Sequence, residues 1–197
     1  MLNIGVLISG GGTNLQAVID GCENKIINGE IKVVISNKAE AYGLERAKNH
    51  NIKAICEKEE EKIIEVLKEN KVDLVVLAGY LKIISPRLVS EYRNRIINIH
   101  PSLIPAFCGK GYYGEKVHQG VIDYGAKVTG ATVHFVDEGA DTGPIIMQKT
   151  VEVKQNDDAK ELGKRVLKVE HEILTKSISM FCENKLTVSG RRVYIND

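Results

Sequence analysis

The chain has 197 residues, of which 43% are hydrophobic and 27% are charged, and its formal net charge is +1 at pH 7. This length allows one domain or at most two small ones, and the composition is that of a globular rather than a disordered protein. A net charge so close to zero argues against nucleic acid as a partner, because a general polyanion binder is strongly basic.

The cysteines and the N-terminus predict the compartment. The four cysteines lie at Cys22, Cys56, Cys108 and Cys182, and no Cys-x-x-Cys pair is present, so neither a zinc knuckle nor a thioredoxin-like motif is predicted. The first residues read as a strand and not as a signal peptide, and no apolar run approaches the roughly 18 residues of a membrane span. We therefore expect a cytoplasmic protein with free thiols and no membrane partner.

Strand-like and helix-like segments alternate from residue 4 to residue 99. Short apolar runs predict strands, and apolar residues spaced three or four apart predict amphipathic helices. The alternation predicts the parallel, doubly wound sheet of an α/β protein. In chain order the predicted elements are strand 4–9, helix 14–23, strand 31–36, helix 43–50, strand 52–56, helix 59–70, strand 73–78, helix 87–92 and strand 95–99.

The pattern changes after residue 99. We expect the later strands to be antiparallel additions to a mostly parallel, open, Rossmann-like sheet within a single domain of residues 1–197. The predicted elements are a Gly/Tyr-rich loop at 109–114, helix 115–124, strands 127–136 and 145–153, a helix that starts at 156–158 and ends near 182, and a strand at 186–193.

A glycine-rich turn, Ser9-Gly10-Gly11-Gly12-Thr13-Asn14, joins the first strand to the first helix. Glycines let a backbone approach a ligand closely, and the amides at a helix N-terminus bind anions. A dinucleotide fingerprint would need a glycine where Leu15 stands, and a P-loop would need a lysine after the glycines. We interpret the turn as a cradle for one phosphate, with the side chains of Thr13 and Asn14 as added donors. A tight turn with a helix cap is the alternative.

Asn98 and His100 close the fifth predicted strand, immediately before Pro101. Residues i and i+2 of a strand point to the same side, so a carboxamide and an imidazole can meet at one point. This arrangement suits the binding of a polarised oxygen. The alternative is a pair of polar residues at a strand end that bond to nearby loops.

An acidic segment at 137–144, with the sequence DEGADTGP, joins two predicted strands and is longer than a hairpin needs. One of its carboxylates could orient and charge a nearby imidazole, and a solvated turn is the alternative. The acids do not follow calcium-loop spacing, so no metal is predicted. Because ligands of open parallel sheets bind at the carboxyl ends of strands, we expect the glycine turn, residues 78–80 and the pair Asn98 and His100 to line one cleft.

Six stretches spread over the chain carry a family resemblance. They are SGGGTNLQA, SNKAEAYGLERA, LAGYLKIIS, NIHPSLIP, HFVDEGADTGPI and VEHEI, in this order. Together they resemble the formyltransferase family and, within it, the phosphoribosylglycinamide formyltransferases of purine biosynthesis. The NIHPSLIP element is shared with methionyl-tRNA formyltransferases and formyltetrahydrofolate deformylases, which carry an additional domain and lack this glycine turn. The length of 197 residues and the glycine turn favour the purine enzyme.

The resemblance implies a reaction and its catalytic residues. The amine of phosphoribosylglycinamide attacks the formyl carbon of 10-formyltetrahydrofolate, the co-substrate, through a tetrahedral oxyanion and without a metal. Asn98 and His100 contact the oxyanion. Asp141 keeps His100 charged and helps to move a proton, and His134 supports the site.

The resemblance also implies binding residues, with a phosphate-binding half at 1–99 and a folate-binding and catalytic half at 100–197. The partners are small molecules, and the chain acts as a monomer or a homodimer. The ribonucleotide-binding residues are Gly10, Gly11, Gly12, Thr13, Asn14 and Glu170. The folate-binding residues are Leu81, Lys82, Ile83, Ile84, Asn98, Asp137, Glu138, Gly139, Ala140 and Asp141.

The chain departs from the family at three places. Cys108 stands where proline is usual, beside a longer and more Gly/Tyr-rich loop. Lys82 stands where arginine is common, which replaces a two-pronged contact with a point charge. Residues 57–63 lack the usual Ser-Arg-Glu type of segment. We therefore expect this chain to hold the folate tail differently. Two other functions stay open: formyl transfer to another amine, such as that of a sugar nucleotide, and nucleotide binding without catalysis.

Overall fold

The computed structural model describes residues 1–196, and within them nine strands and six helices form. The strands are β1 (Leu2–Ile8), β2 (Gly29–Ser36), β3 (Lys53–Cys56), β4 (Leu74–Leu77), β5 (Ile96–His100), β6 (Val128–Phe135), β7 (Ile145–Glu152), β8 (Leu186–Ser189) and β9 (Arg192–Ile195). The helices are α1 (Thr13–Glu23), α2 (Tyr42–Asn49), α3 (Glu60–Glu69), α4 (Pro86–Glu91), α5 (Glu115–Tyr124) and α6 (Ala159–Cys182).

The strands join one sheet in the order β3-β2-β1-β4-β5-β6-β7-β9-β8. The neighbours from β3 to β5 all pair in parallel. β6 is antiparallel to both β5 and β7, and β9 pairs in parallel with the start of β7. The predicted mostly parallel sheet with antiparallel C-terminal strands is therefore confirmed.

The strand character predicted at 186–193 is present, divided between two strands on either side of Gly190. The segment is a hairpin, in which β8 and β9 pair antiparallel around a turn at Gly190 and Arg191. Gly190 has a φ of +59°, a conformation that glycine adopts without the steric cost that a side chain would bring. The alternating apolar pattern continues through both strands, and so the turn is marked only by the glycine.

The sheet is covered on both faces. α1, α2, α5 and α6 pack on one face, where Leu15, Leu44, Val121 and Leu174 share a single core. α3 and α4 pack on the other face over a second core. The central parallel strands are buried on both sides, as their continuous apolar sequences require. Among the described helices, none combines the length and the hydropathy that a bilayer span requires.

Two helix caps position the elements that flank the site. The Asp158 carboxylate accepts a hydrogen bond from the Glu161 amide at 2.7 Å and starts the long helix α6. The Ser85 hydroxyl accepts from the Leu88 amide at 3.3 Å and starts α4 directly after the segment 81–84. α6 packs against β5, β6 and β7 of the sheet and against the neighbouring helices α1 and α5.

Candidate active site

Strand alternation in β5 separates the core from the site. Ile97 and Ile99 lie in the core under α6, so Asn98 and His100 point to the opposite face of the sheet. β6 pairs antiparallel with β5 and places His134 directly across from Asn98. The Asn98 amide nitrogen lies 3.0 Å from His134 Nε2. The predicted meeting of a carboxamide and an imidazole thus includes a second imidazole from the neighbouring strand.

The loop after β6 brings a carboxylate to these three side chains. Asp141 has a φ of +58° and accepts a hydrogen bond from the Gly109 amide at 2.8 Å. Its oxygens lie 3.6 Å from His100 Nδ1, 3.7 Å from His134 Nε2 and 3.5 Å from the Asn98 amide nitrogen. One carboxylate therefore faces Asn98, His100 and His134 together.

Hydrogen bonding fixes the orientation of His134 and, through it, of Asn98. His134 Nδ1 lies 2.8 Å from the Phe135 carbonyl oxygen, which can only accept, so Nδ1 carries the proton. Nε2 is then the acceptor for one N–H of Asn98. The other N–H of Asn98 points toward Asp141, where its bond is long at 3.5 Å. Asn98 thus holds one weakly bonded donor at the centre of the site.

Burial acts in opposite directions on the pKa values of His100 and Asp141, but both pKa values are lowered overall. Burial raises the pKa of Asp141, but the adjacent imidazole of His134, the imidazole of His100 and the Gly109 amide together outweigh it and lower the pKa below its usual value. For His100, burial lowers the pKa and outweighs the opposite effects of Asp141 and of the Phe107 carbonyl, which lies 3.0 Å from Nε2. The ligand-free site therefore holds an ionised Asp141 and a neutral His100 near pH 7. That Asp141 keeps His100 charged stays a prediction, and Asp141 does raise the pKa of His100 against the larger effect of burial.

These residues lie in the wall of a cavity of about 290 Å³. Apolar side chains form much of the lining, and Leu81 and Ile83 are exposed at its mouth. Glu138 is the one predicted folate-binding residue outside the lining, because it pairs with Arg93 at 2.9 Å. Lys82 donates to the Lys58 carbonyl at 2.9 Å. The predicted residues that line the cavity are Leu81, Lys82, Ile83, Ile84, Asn98, Asp137, Gly139, Ala140 and Asp141, together with His100 and His134.

The Gly/Tyr-rich loop covers part of the same cavity. Gly109 to Gly114 contribute to its lining, and the sequence did not place them there. Phe107 lies edge-on to both Tyr112 and Tyr124, with ring centroids 6.1 and 5.8 Å apart. The glycines of this loop could have indicated a binding role, because glycine lets a backbone approach a ligand closely. The contact between Gly109 and Asp141 was not predicted, because the two residues are far apart in the sequence.

The predicted phosphate turn lies beside this cavity. The Ser9 hydroxyl accepts from the Leu81 amide at 2.9 Å and donates to Asn37 at 2.7 Å, which joins the turn to the cavity wall. Gly12 has a φ of +71°, and α1 begins at Thr13. In the described part of the chain, the amides of residues 11–14 have no hydrogen-bond acceptor. A row of free N–H groups at a helix N-terminus is what an anion requires.

Glu170 lies against the same turn, although it is distant in sequence. Its carboxylate accepts from the Asn14 side chain at 2.8 Å, and Asn14 Oδ1 is buried without a partner within residues 1–196. Burial raises the pKa of Glu170, and the Asn14 hydrogen bond opposes the rise. The pair leaves acceptor oxygens next to the turn, which suits a ligand with hydroxyl donors. Over the residues described, no group of three or more His, Cys, Asp or Glu side chains is placed to hold a metal ion.

The sequence and the fold both have clear relatives. The profile of the formyl transferase family matches residues 2–178. Phosphoribosylglycinamide formyltransferase from Escherichia coli is 38% identical over 99% of this chain and 94% of its own length. The chloroplastic enzyme of the same name from Vigna unguiculata is 42% identical over 93% of this chain. The chain spans only 62% of the Vigna protein and 66% of the one from Arabidopsis thaliana.

Solved structures give the same picture. Glycinamide ribonucleotide transformylase 1 from Symbiobacterium toebii is 44% identical and superposes with a TM-score of 0.94 over 100% of this chain and 95% of its own. A formyltetrahydrofolate deformylase from Pseudomonas syringae is 27% identical, with a TM-score of 0.89, and this chain covers 66% of it. This chain therefore shares its whole fold with the transformylase and with the deformylase. Its sequence identity to the transformylase is the higher of the two.

Proposed function

The chain belongs to the formyl transferase family, and from this premise we propose that it is a phosphoribosylglycinamide formyltransferase of purine biosynthesis. It transfers the formyl group of 10-formyltetrahydrofolate to the amine of 5'-phosphoribosylglycinamide. The observation that carries the proposal is the convergence of Asn98, His100 and Asp141 in the wall of one cavity that lies beside a turn with free backbone amides.

The cavity fits the formylated folate. A pterin is flat, with polar edges, and needs apolar walls together with a few polar groups. Ile84 and Val136 supply apolar surface, the backbone of the acidic loop supplies polar groups, and Asn98 and Asp141 lie at the inner wall. The exposed Leu81 and Ile83 cover the start of the tail. Glu138 takes no part, because Arg93 holds it outside the cavity.

The turn and Glu170 bind the ribonucleotide. The free amides of residues 11–14 bind the phosphate, as the positive end of a helix favours an anion. Glu170 and Asn14 Oδ1 accept from the ribose hydroxyls. The hydrogen bond between the Leu81 amide and the Ser9 hydroxyl holds the two binding sites next to each other. Substrates bound side by side react faster because their effective concentration is high.

Asn98 stabilises the charge that develops on the formyl oxygen. Its weakly bonded N–H exchanges the long contact to Asp141 for a shorter one to the oxyanion, while His134 holds the other N–H. One such preorganised donor contributes roughly 10²–10³ in rate. The donor needs no reorganisation during the reaction, because a strand and a neighbouring imidazole fix it.

His100 and Asp141 move the proton. As the new C–N bond forms, the amine loses a proton to the neutral His100, directly or through water, and Asp141 stabilises the imidazolium. As the C–N bond to the folate breaks, the imidazolium returns the proton to the departing nitrogen. The step consumes no net proton, and a placed acid–base group contributes about 10²–10⁴ in rate.

We also propose a cytoplasmic location, in which phosphoribosylglycinamide and the formylated folate are the small-molecule partners. The support is that Cys22, Cys56, Cys108 and Cys182 are all free thiols, as a reducing compartment requires. The division into a phosphate-binding half and a folate-binding half stays a prediction. Glu170 belongs to the second half of the chain, but its carboxylate contacts Asn14 in the turn of the first half.

Absorbance-monitored formyl transfer tests the proposal. Purified protein with both substrates should release tetrahydrofolate in proportion to formylated ribonucleotide, identified by mass. Omitting the acceptor measures hydrolysis alone, as a deformylase would show. Replacing the acceptor by a sugar-nucleotide amine measures the other alternative. Release of tetrahydrofolate that is independent of phosphoribosylglycinamide would refute the proposed acceptor, and no release under any condition would refute catalysis.

A further inference from the structure

The first turns of α2 pack directly on the glycine turn. The Gly43 amide donates to the Gly10 carbonyl at 3.0 Å. A Cβ on Gly12 would lie only 2.7 Å from the Gly43 Cα, and a Cβ on Gly43 would clash with Ile8. Two glycines, one from each segment, therefore allow a close approach of the two backbones that any side chain would prevent.

Arg46, one helical turn further along α2, makes the next contact. Its Nε donates to the Gly11 carbonyl at 2.8 Å, and one of its terminal nitrogens donates to the Gln16 side chain at 3.2 Å. The guanidinium carbon lies 5.0 Å from the centre of the Tyr42 ring, in a cation–π arrangement. Within residues 1–196, no carboxylate forms an ion pair with Arg46, so its charge is not neutralised locally.

The contacts divide the polar groups of the turn by type. The carbonyls of Gly10, Gly11 and Gly12 all accept protein donors, from Gly43, Arg46 and the first turn of α1 respectively. The amides of residues 11–14 have no acceptor in the same described region. A peptide plane points its C=O and its N–H in opposite directions. By holding the Gly10 and Gly11 carbonyls, α2 turns the amides of residues 11 and 12 toward the place of the anion.

We propose that Arg46 is a positioning and specificity residue for the phosphate of the ribonucleotide. It fixes the Gly11 peptide plane so that the free amides converge, and its unpaired charge favours a dianionic phosphate monoester over a monoanion or a neutral group. The inference rests on the proposed function for the identity of the acceptor. Arg46 is not among the binding residues predicted from the sequence. It contacts the carbonyl side of the turn, whereas the free amides lie on the other side.

Two substitutions and one control test Arg46. Arg46→Met keeps an unbranched apolar side chain but removes the donors and the charge, and Arg46→Lys keeps the charge but loses the planar guanidinium that reaches Gly11 and Gln16 together. Lys48→Met removes a cation from the same helix that is exposed and paired with Glu45. Inorganic phosphate is the probe, titrated by calorimetry and by the chemical shifts of the amides of residues 11–14. This measurement needs no turnover.

We expect Arg46→Met to weaken phosphate binding about tenfold, the effect of losing one charged hydrogen bond, and to raise the KM for phosphoribosylglycinamide by a similar factor. The KM for the folate and kcat should stay within about threefold. Arg46→Lys should restore part of the affinity, and Lys48→Met should match the wild type.

The outcomes separate the proposed role of Arg46 from the proposed function of the protein. Unchanged phosphate binding in Arg46→Met, or an equal loss in Lys48→Met, would overturn the role of Arg46 while leaving the proposed function intact. Arg46-dependent phosphate binding without formylation of phosphoribosylglycinamide would instead refute the proposed function alone. If Arg46→Met fails to fold, phosphate binding by Arg46→Lys equal to that of wild type would overturn the proposed role of the Arg46 guanidinium.

Discussion

Asp141→Asn tests the coupling between the acidic loop and His100. The substitution keeps the shape and an acceptor for the Gly109 amide but removes the charge. Two unit charges at the observed separation of 3.6 Å interact by about 4–5 kcal/mol at an effective dielectric constant of about 20. The asparagine dipole retains part of this energy. We therefore expect kcat to fall roughly 10²–10³-fold, at 1.36 kcal/mol per tenfold.

The pH dependence of kcat/KM in the same variant is an independent test, because the direction in which its acidic limb moves depends on the role of His100. Asp141 raises the pKa of His100 against the larger effect of burial, so removing its charge lowers that pKa further. Since the proposed proton acceptor is the neutral imidazole, the acidic limb of kcat/KM should move to lower pH in Asp141→Asn, although the plateau is lower. A limb that moves to higher pH would contradict the assignment of His100 as the base.

A double-mutant cycle completes the test. His100→Ala should cost about as much as Asp141→Asn, and the double variant should agree with either single variant within about tenfold, because groups that act as a unit are not additive. Asp123→Asn is the control, since that carboxylate accepts from Gln119 on the surface of α5. Losses that multiply fully would show that His100 and Asp141 act independently and would refute the reasoning.

Three other substitutions test the remaining parts of the site. Gly12→Ala should raise the KM for the ribonucleotide and spare folate binding, because Gly12 has a φ of +71° and its Cβ would lie 2.7 Å from the backbone of α2; an equal loss of folate affinity, measured by titration, would make the turn purely structural. Asn98→Ala should lower kcat about 10²-fold with little change in KM, and steady-state kinetics that show a KM effect alone would limit Asn98 to ground-state binding. Arg191→Ala should lower kcat more than the neighbouring Arg192→Ala does, because Arg191 donates to the Thr142 carbonyl at 2.9 Å and braces the acidic loop; equal rates for the two variants would exclude such a brace.

Local sequence patterns were sufficient for much of the fold. The glycine turn, the apolar strands and the alternation of β5 predicted the order of elements and that Asn98 and His100 lie on the same side of the sheet, because these features follow from backbone geometry within a few residues. The strand character of β8 and β9 was predicted, but their pairing as a hairpin was not, because the two strands share one alternating pattern. The sheet order beyond β5 depends on packing between distant segments, which no local pattern contains.

The site was predictable where one element supplies neighbouring residues, and less so where distant loops meet. The contact of Asp141 with the Gly109 amide spans 32 residues, and Glu138, two residues from Ala140, is drawn outward by Arg93. The neutral state of His100 could not be read from sequence either. It is set by the depth of burial, which competes with a partner whose effect on the pKa has the opposite sign.

The lowered pKa values of both His100 and Asp141 have a consequence for the proposed mechanism. Before attack, the buried site carries a single negative charge, on Asp141. In the tetrahedral intermediate, the imidazolium of His100 and the oxyanion appear together, so the net charge of the site is unchanged. Creating one uncompensated charge in a buried site would be costly. A His100 that was already charged would instead leave the amine proton without an acceptor. In the proposed mechanism, burial of His100 lowers its pKa against the effect of Asp141 and so keeps the imidazole available as the base.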